Sequence, residues 1–217
     1  MCYSIKKAKN TRVFTSCVFA IALLATITLT PPASAQLFDG PVDRLPVKER
    51  VALREGRVLV TGNKGQYTGR FLVKSLTATA WEVLTDYDNF ERFLPNVVAS
   101  QILEINGNRK VFEQVQIIRA FIFRKKVSVR IAVTQTYPQQ IAFSVVEGLE
   151  ALDGAWRLES VSPHPGASPN QVLITHQVTV DPGSTPSRDL FFRVYKDNLE
   201  DTLAAIKQEI EQRAANK

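Results

Sequence analysis

The sequence predicts an α+β fold in which a curved antiparallel β-sheet wraps around a long C-terminal α-helix, with two short helices after the first strands. Three observations support this prediction. Apolar and polar residues alternate in strand-like runs between residues 97 and 180. Apolar residues recur at helical spacing between residues 186 and 214. Two short apolar-faced segments lie between residues 77 and 94, directly before the run of strands.

Residues 1–35 are predicted to be a cleaved signal peptide. Basic residues open the segment, an apolar run extends from Val13 to Leu29, and Ala33-Ser34-Ala35 has the small-residue pattern of a cleavage site. An uncleaved membrane anchor is the alternative for a run of this length, but Pro31-Pro32 and the cleavage pattern favour removal. We therefore expect an exported protein, located in the periplasm, or in the thylakoid lumen if the source is photosynthetic.

Removal of this segment changes the cysteine content and the net charge. Both cysteines, Cys2 and Cys17, lie within it, so the mature chain would have no thiol for a disulfide, a nucleophile or a metal site. The 27 basic residues fall to 23 against 21 acidic ones, a net charge of +2. So small an excess does not indicate nucleic acid, which requires a dense basic face. The remaining 182 residues are enough for one domain with a substantial core.

Residues 36–56 are predicted to be a lead-in with one short helix, ahead of a domain that occupies residues 57–217. Pro46 suits the first turn of this helix and Gly56 suits its end. Two β-rich runs follow, separated by the turn-forming residues 62–65.

The two short helices that come next are predicted to meet at a bend. Thr77 or Thr79 can cap the first helix. Thr79 with Glu82, and Asp88 with Glu91, have the spacing of two capping boxes. Pro95 prevents the second helix from extending further. Two helix starts so close together predict a corner in the chain at residues 86–88.

The strands and the terminal helix complete the fold. On the strand predicted at residues 123–136, Val129 and Ile131 share one face and Arg130 lies on the other, as expected for a sheet with one buried and one solvent-exposed face. The terminal helix is predicted over residues 186–214, capped by Ser184 or Thr185, and spans roughly 40 Å. Strands are predicted near residues 98–105, 109–119, 123–136, 139–148, 154–162 and 171–180.

Two stretches and the terminal helix carry a family resemblance. The stretches are "ATAWEVLTDYDNFERFLPNV" (78–97) and "EGLEALDGAWRLE" (147–159). With them, the chain resembles the START-like superfamily, whose helix-grip fold is shared by polyketide cyclases/dehydrases, coenzyme-Q-binding START proteins and birch-pollen-allergen relatives. The resemblance covers about residues 58–214. It implies a hydrophobic cavity between sheet and helix for a lipid, quinone, isoprenoid or polyketide-like molecule. Members range from carriers to cyclases, so the fold alone does not choose between these activities.

Residues on the predicted inward faces are the candidates to line such a cavity. They belong to the two short helices, the strands and the terminal helix. The candidates are Trp81, Leu84, Phe90, Phe93, Val129, Ile131, Phe143, Trp156, Ile174, His176, Tyr195 and Leu199.

Three residues are candidates for acid–base catalysis, namely Glu113, Glu147 and His176. A carboxyl group in an apolar cavity would have a raised pKa and could move protons. In the alternative interpretation, the two glutamates reach water at strand ends and the histidine is a satisfied core residue. No hydrolase, nucleotide-binding or metalloprotease motif is present. A single histidine does not make a metal site, and we expect neither a metal nor another cofactor.

The stretch "IRAFIFRKK" (118–126) suggests contact with a membrane surface. Phe121, Ile122 and Phe123 could enter a bilayer at a hairpin tip while Arg124, Lys125 and Lys126 meet anionic head groups. The alternative is a strand end that is buried under the terminal helix.

These patterns predict three functions, in order of preference. The first is an exported carrier or sensor for a hydrophobic small molecule. The second is a cyclase or dehydrase that uses Glu113, Glu147 or His176. The third is a domain that binds partners at a membrane surface. We expect a monomer with a hydrophobic small-molecule partner and no nucleic acid.

Overall fold

Eight strands and four α-helices are found in the part of the chain that the structure, a computed structural model, describes: residues 40–120 and 123–217, with side chains described for 40–117 and 125–217. The predicted signal peptide lies outside these residues. The helices are α1 (Val47–Arg54), α2 (Thr77–Leu84), α3 (Phe90–Phe93) and α4 (Arg188–Ala215), and a 3-10 turn (Tyr87–Asn89) precedes α3. The strands are β1 (Leu59–Asn63), β2 (Gln66–Val73), β3 (Val97–Asn106), β4 (Arg109–Ala120), β5 (Phe123–Thr136), β6 (Gln140–Glu147), β7 (Ala151–Val161) and β8 (Gln171–Asp181).

All eight strands form one antiparallel sheet in the order β1-β2-β8-β7-β6-β5-β4-β3. Strands β3 to β8 follow one another as a meander, and β8 returns to pair with β2 from Gln66↔Thr179 to Val73↔Val172. The long helix α4 packs against the concave face of the sheet, with its buried residues in the main core. The predicted α+β helix-grip fold is therefore confirmed.

The two halves of α4 are buried to different extents. In the C-terminal half, Leu203 and Ile210 are completely buried. Leu203 packs close to the sheet because β2 carries Gly69, where a Cβ would lie 2.3 Å from Cδ1 of Leu203. In the N-terminal half, Phe191 and Tyr195 are only partly buried. The helix is thus packed tightly against the sheet at one end and leaves space at the other.

The corner between α2 and α3 forms without the two predicted capping boxes. Helix α2 begins at Thr77 with no side-chain cap, and Thr79 is buried inside the helix. Asp88 lies within the 3-10 turn, and its Oδ1 accepts a hydrogen bond from the backbone N–H of Ile102 at 2.7 Å. The carboxylate that was expected to cap α3 therefore ties the corner to strand β3.

Asp86 joins this corner to the end of α4. Its carboxylate accepts hydrogen bonds from Nδ2 of Asn89 and Nη2 of Arg213, each at 2.7 Å. Arg213 also donates through Nε to Glu209 and lies over the ring of Phe93. Burial acts to raise the pKa of Asp86, but the bonds from Asn89 and Arg213 outweigh it, so the pKa is lowered. The ionised carboxylate holds the corner against the helix.

Helix α4 begins later than expected. Its N-cap is Ser187, whose Oγ accepts a hydrogen bond from the backbone N–H of Leu190 at 3.4 Å. The prediction that Ser184 or Thr185 caps this helix was therefore wrong. Residues 185–187 are left outside the helix, where they border the space described below.

The lead-in packs against the convex face of the sheet. Val42, which precedes α1, and Leu53 of α1 form a small apolar cluster with residues on the convex face of β2, β7 and β8. Arg70 of β2 pairs with Glu49 of α1 at 2.8 Å. This cluster leaves the concave face to α4 and the corner helices.

Gly69→Ala is expected to lower the free energy of unfolding by about 2–3 kcal/mol, because the new methyl group overlaps Leu203. The same change made in a Leu203→Ala background should cost at least about 1 kcal/mol less, because the opposing side chain is gone. Chemical denaturation of the four proteins measures this coupling. Strictly additive effects would contradict close packing at this point.

Candidate functional site

A cavity of about 700 Å³ lies between the concave face of the sheet, the N-terminal half of α4 and the corner helices. Its volume is within the range of roughly 300–1,000 Å³ of small-molecule sites. Pro186 and Ser187 border it and are exposed, so the cavity reaches the surface beside the start of α4. Its size and access are suited to a small organic ligand.

Most of the residues expected to line a cavity do line this one. The three that do not, Trp81, Phe93 and Ile174, pack elsewhere. Trp81 lies edge-on to Tyr137 at 5.3 Å, Phe93 packs between Phe90 and Arg213, and Ile174 is completely buried in the core. The nine expected residues that line the cavity are Leu84, Phe90, Val129, Ile131, Phe143, Trp156, His176, Tyr195 and Leu199.

His176 lies on β8, paired with Gly69 on one side and Trp156 on the other. Its ring stacks on Phe143 at 5.3 Å and lies 4.0 Å from the ring of Trp156. The residue is only 6% exposed, and burial lowers its pKa to about 3. The imidazole is therefore neutral at physiological pH. Its buried Nδ1 has no hydrogen-bond partner among the described residues, a deficit of about 1–3 kcal/mol.

The two candidate carboxylates lie outside the cavity. Arg130 bridges them, with Nε 3.3 Å from Oε1 of Glu113 and Nη1 2.7 Å from Oε2 of Glu147. Hydrogen bonding from Ser128 is the main cause that lowers the pKa of Glu113, and the side chain of Glu147 is 65% exposed. Neither is the desolvated carboxyl group that an acid–base role in the cavity requires.

Local structure explains why both glutamates turn outward. On β4, Phe112, Gln114 and Gln116 line the cavity, so Glu113 lies on the opposite face of the strand, together with Val111 and Val115. Between β5 and β6 the register shifts, because Arg130 pairs with Glu147 whereas the next residue, Ile131, pairs with Val145. The alternation from Phe143 to Val145 is therefore not continued at Glu147.

A group of carboxamides on the cavity wall was not predicted from the sequence. Nε2 of Gln116 donates to Oε1 of Gln114 at 3.0 Å, and Nδ2 of Asn96 lies 3.5 Å from Oδ1 of Asn198. All four residues line the cavity. The alternation of Phe112, Gln114 and Gln116 was the available signal, but polar residues on a strand are ordinarily assigned to solvent.

The membrane-contact candidates are only partly described. Phe121 and Ile122 lie outside the described residues, and for Phe123 and Arg124 only the backbone is described. Lys125 and Lys126 are exposed on β5. Within residues 40–120 and 123–217, no cluster of three potential metal ligands is found.

A sheet that grips a long helix above an apolar cavity defines the START-like class of proteins. Residues 77–207 match the family described as polyketide cyclase / dehydrase and lipid transport, and the chain belongs to this family. Among curated proteins, none matches the chain.

Several solved structures share the fold. The STAR-related lipid transfer protein from Xanthomonas axonopodis is 18% identical, with a TM-score of 0.56 over 71% of this chain and 93% of its own. The Zhui aromatase/cyclase from Streptomyces sp. R1128 is 15% identical, with a TM-score of 0.55 over 70% and 93%. Human StAR-related lipid transfer protein 5 is 13% identical, with a TM-score of 0.52 over 68% and 76%. At these identities the likeness shows the fold alone.

His176→Phe is expected to reduce the loss of stability in mild acid. The unfolded chain binds a proton near pH 6.5, whereas the folded pKa is about 3, so stability is lost as the pH falls from about 6.5 towards 3. Between pH 6.5 and 5.0 the original protein should lose about 1.5 kcal/mol more than the variant.

Urea denaturation at the two pH values measures this difference. His164→Phe, in an exposed loop, is the matched control and should behave like the original protein. Equal pH dependence in the His176 variant and the original protein would show that His176 titrates normally.

Proposed function

We propose that the protein is a carrier or binding protein that holds a hydrophobic small molecule, such as a lipid, quinone, isoprenoid or polyketide-like compound, in the cavity between the sheet and α4. The observation that carries this proposal is the cavity of about 700 Å³ with aliphatic and aromatic walls. Each 100 Å² of apolar ligand surface buried there would contribute roughly 2.5 kcal/mol, against the cost of immobilising the ligand. Native mass spectrometry of protein from its own host tests it, because bound ligand adds a defined mass.

A cyclase or dehydrase is the second candidate function, and His176 is the observation that favours it, since this residue lines the cavity. Its lowered pKa makes it a weak base near neutral pH. Both candidate carboxylates lie outside the cavity and are paired with Arg130. A binding role needs only the cavity, whereas this reaction would need a proton acceptor of suitable strength.

The proposed carrier is exported and contacts a membrane surface. The predicted signal peptide would place the carrier in the periplasm or the thylakoid lumen. No helix among the described residues is long and apolar enough to cross a membrane. Gln116, Ile117 and Val127 line the cavity and flank residues 118–126 in the chain. A ligand delivered from a bilayer at this hairpin would therefore have a short path into the cavity.

Val129→Trp is expected to weaken binding of an apolar fluorescent probe, such as N-phenyl-1-naphthylamine, by at least about tenfold, because the indole would occupy space in the cavity. Ser128→Trp is the matched control, since Ser128 is the adjacent residue and is exposed on the opposite face. Unchanged affinity in the Val129 variant, with its fold retained by circular dichroism, would locate the probe elsewhere.

Phe121→Asp combined with Phe123→Asp is expected to abolish most association with vesicles that contain anionic lipids, because two charges would oppose insertion. Flotation of vesicles on a density gradient measures the bound fraction. Leu103→Asp combined with Ile105→Asp, at two exposed apolar residues of β3 outside the hairpin, serves as the control. Vesicle binding that survives the double change would remove the support for contact through this hairpin.

A further inference from the structure

Among the described residues that line the cavity, every polar group is uncharged. No Asp, Glu, Lys or Arg is among the described residues that line it. The polar side chains there are carboxamides, hydroxyls and the imidazole of His176, which is neutral because burial depresses its pKa. A charged ligand group inside would therefore find no counter-charge, and burying an unpaired charge is strongly unfavourable.

Two carboxylates next to the cavity wall in sequence pair with arginines outside it. Asp86 next to Tyr87 pairs with Arg213, and Glu113 next to Gln114 pairs with Arg130 on the convex face. Neither the carboxylate of Asp86 nor that of Glu113 therefore faces a ligand in the cavity.

The amide of Gln114 in the cavity wall is suited to hydrogen-bond a ligand. Gln114 is 7% exposed, and its Oε1 accepts a hydrogen bond from Gln116. This bond uses the oxygen of Gln114, so the amide nitrogen of the same side chain can still donate. Nδ1 of His176 also has no partner among the described residues, but this atom is buried away from the cavity space. A ligand oxygen could accept a hydrogen bond from the Gln114 amide.

We propose that the cavity selects uncharged, oxygen-bearing apolar molecules, such as long-chain alcohols and ketones, over fatty acids and other charged amphiphiles. This inference rests on the proposed function and deepens it. Hydrophobic walls would bind the hydrocarbon part of each class equally. The difference arises at the polar end of the ligand, where the amide of Gln114 can hydrogen-bond a hydroxyl or carbonyl oxygen but does not neutralise a charge.

Three ligands with the same ten-carbon chain test the selection: 1-decanol, decanoate and decyltrimethylammonium. Each displaces N-phenyl-1-naphthylamine, an uncharged probe, from the purified protein at pH 8. We expect both ions to bind at least about 30-fold more weakly than the alcohol. Decanoate that binds as tightly as decanol would overturn the inference and leave the proposed function standing. A probe that does not bind at all would instead contradict the proposed function.

The pH dependence of binding provides an independent test. Decanoate can enter as the neutral acid, so its apparent affinity should rise about tenfold for each pH unit between pH 8 and 6, above the ordinary carboxyl pKa of about 4–5. Decanol and the quaternary ammonium ion should not change, since His176 stays neutral in this range. A constant ratio of decanol to decanoate affinity would overturn the inference.

Variants identify the polar group involved. Gln114→Leu should weaken decanol binding about fivefold relative to binding of the apolar probe. Gln177→Leu is the matched control, because Gln177 is exposed on the face of β8 that is opposite His176. An effect of equal size in both variants, or in neither, would contradict a role of Gln114 in holding the ligand oxygen.

Discussion

The close contact between α4 and strand β2 is the constraint on which the rest of the structure depends. Gly69 gives Leu203 the space to lie directly on the sheet, and a larger residue there would push the helix outward. At the C-terminal end of the helix, Arg213 binds Asp86 at the corner between the short helices. The helix is therefore fixed towards its C-terminal end by close packing and by a charged hydrogen bond. Near its start it is held by polar contacts instead, from Tyr67 to the carbonyl of Phe192 at 3.1 Å and between Arg188 and Asp181.

The cavity follows from this asymmetry. A curved sheet and a straight helix cannot remain in contact along their whole length, and the gap opens where Tyr195 and Phe191 are only partly buried. Two short helices are used in place of one long helix because α2 and α3 together turn a corner that closes one side of the gap. The walls then differ by position, with aromatic rings around His176 on the sheet and carboxamides towards the loop before β3.

The fold was predictable because the spacing of apolar residues, at every second position in strands and at every third or fourth in helices, follows from which side chains are buried. The order of strands, the long helix and the corner all agree with the sequence pattern. The corner's hydrogen bonds were not predictable, since Asp88 bonds to a strand that is distant in sequence. The site was predicted in part. Apolar alternation found Val129 and Phe143, but it left the face of Glu113 open, because an interior surface that carries amides does not look apolar in sequence.

The most direct test of an open cavity under α4 is a crystal structure determined under xenon pressure, since xenon enters apolar cavities that have room for it. We expect density for xenon, or for a ligand carried through purification, in the space bounded by Val129, Phe143 and Tyr195. A structure in which these side chains meet each other, with neither xenon nor ligand between the sheet and the N-terminal half of α4, would contradict the existence of this cavity.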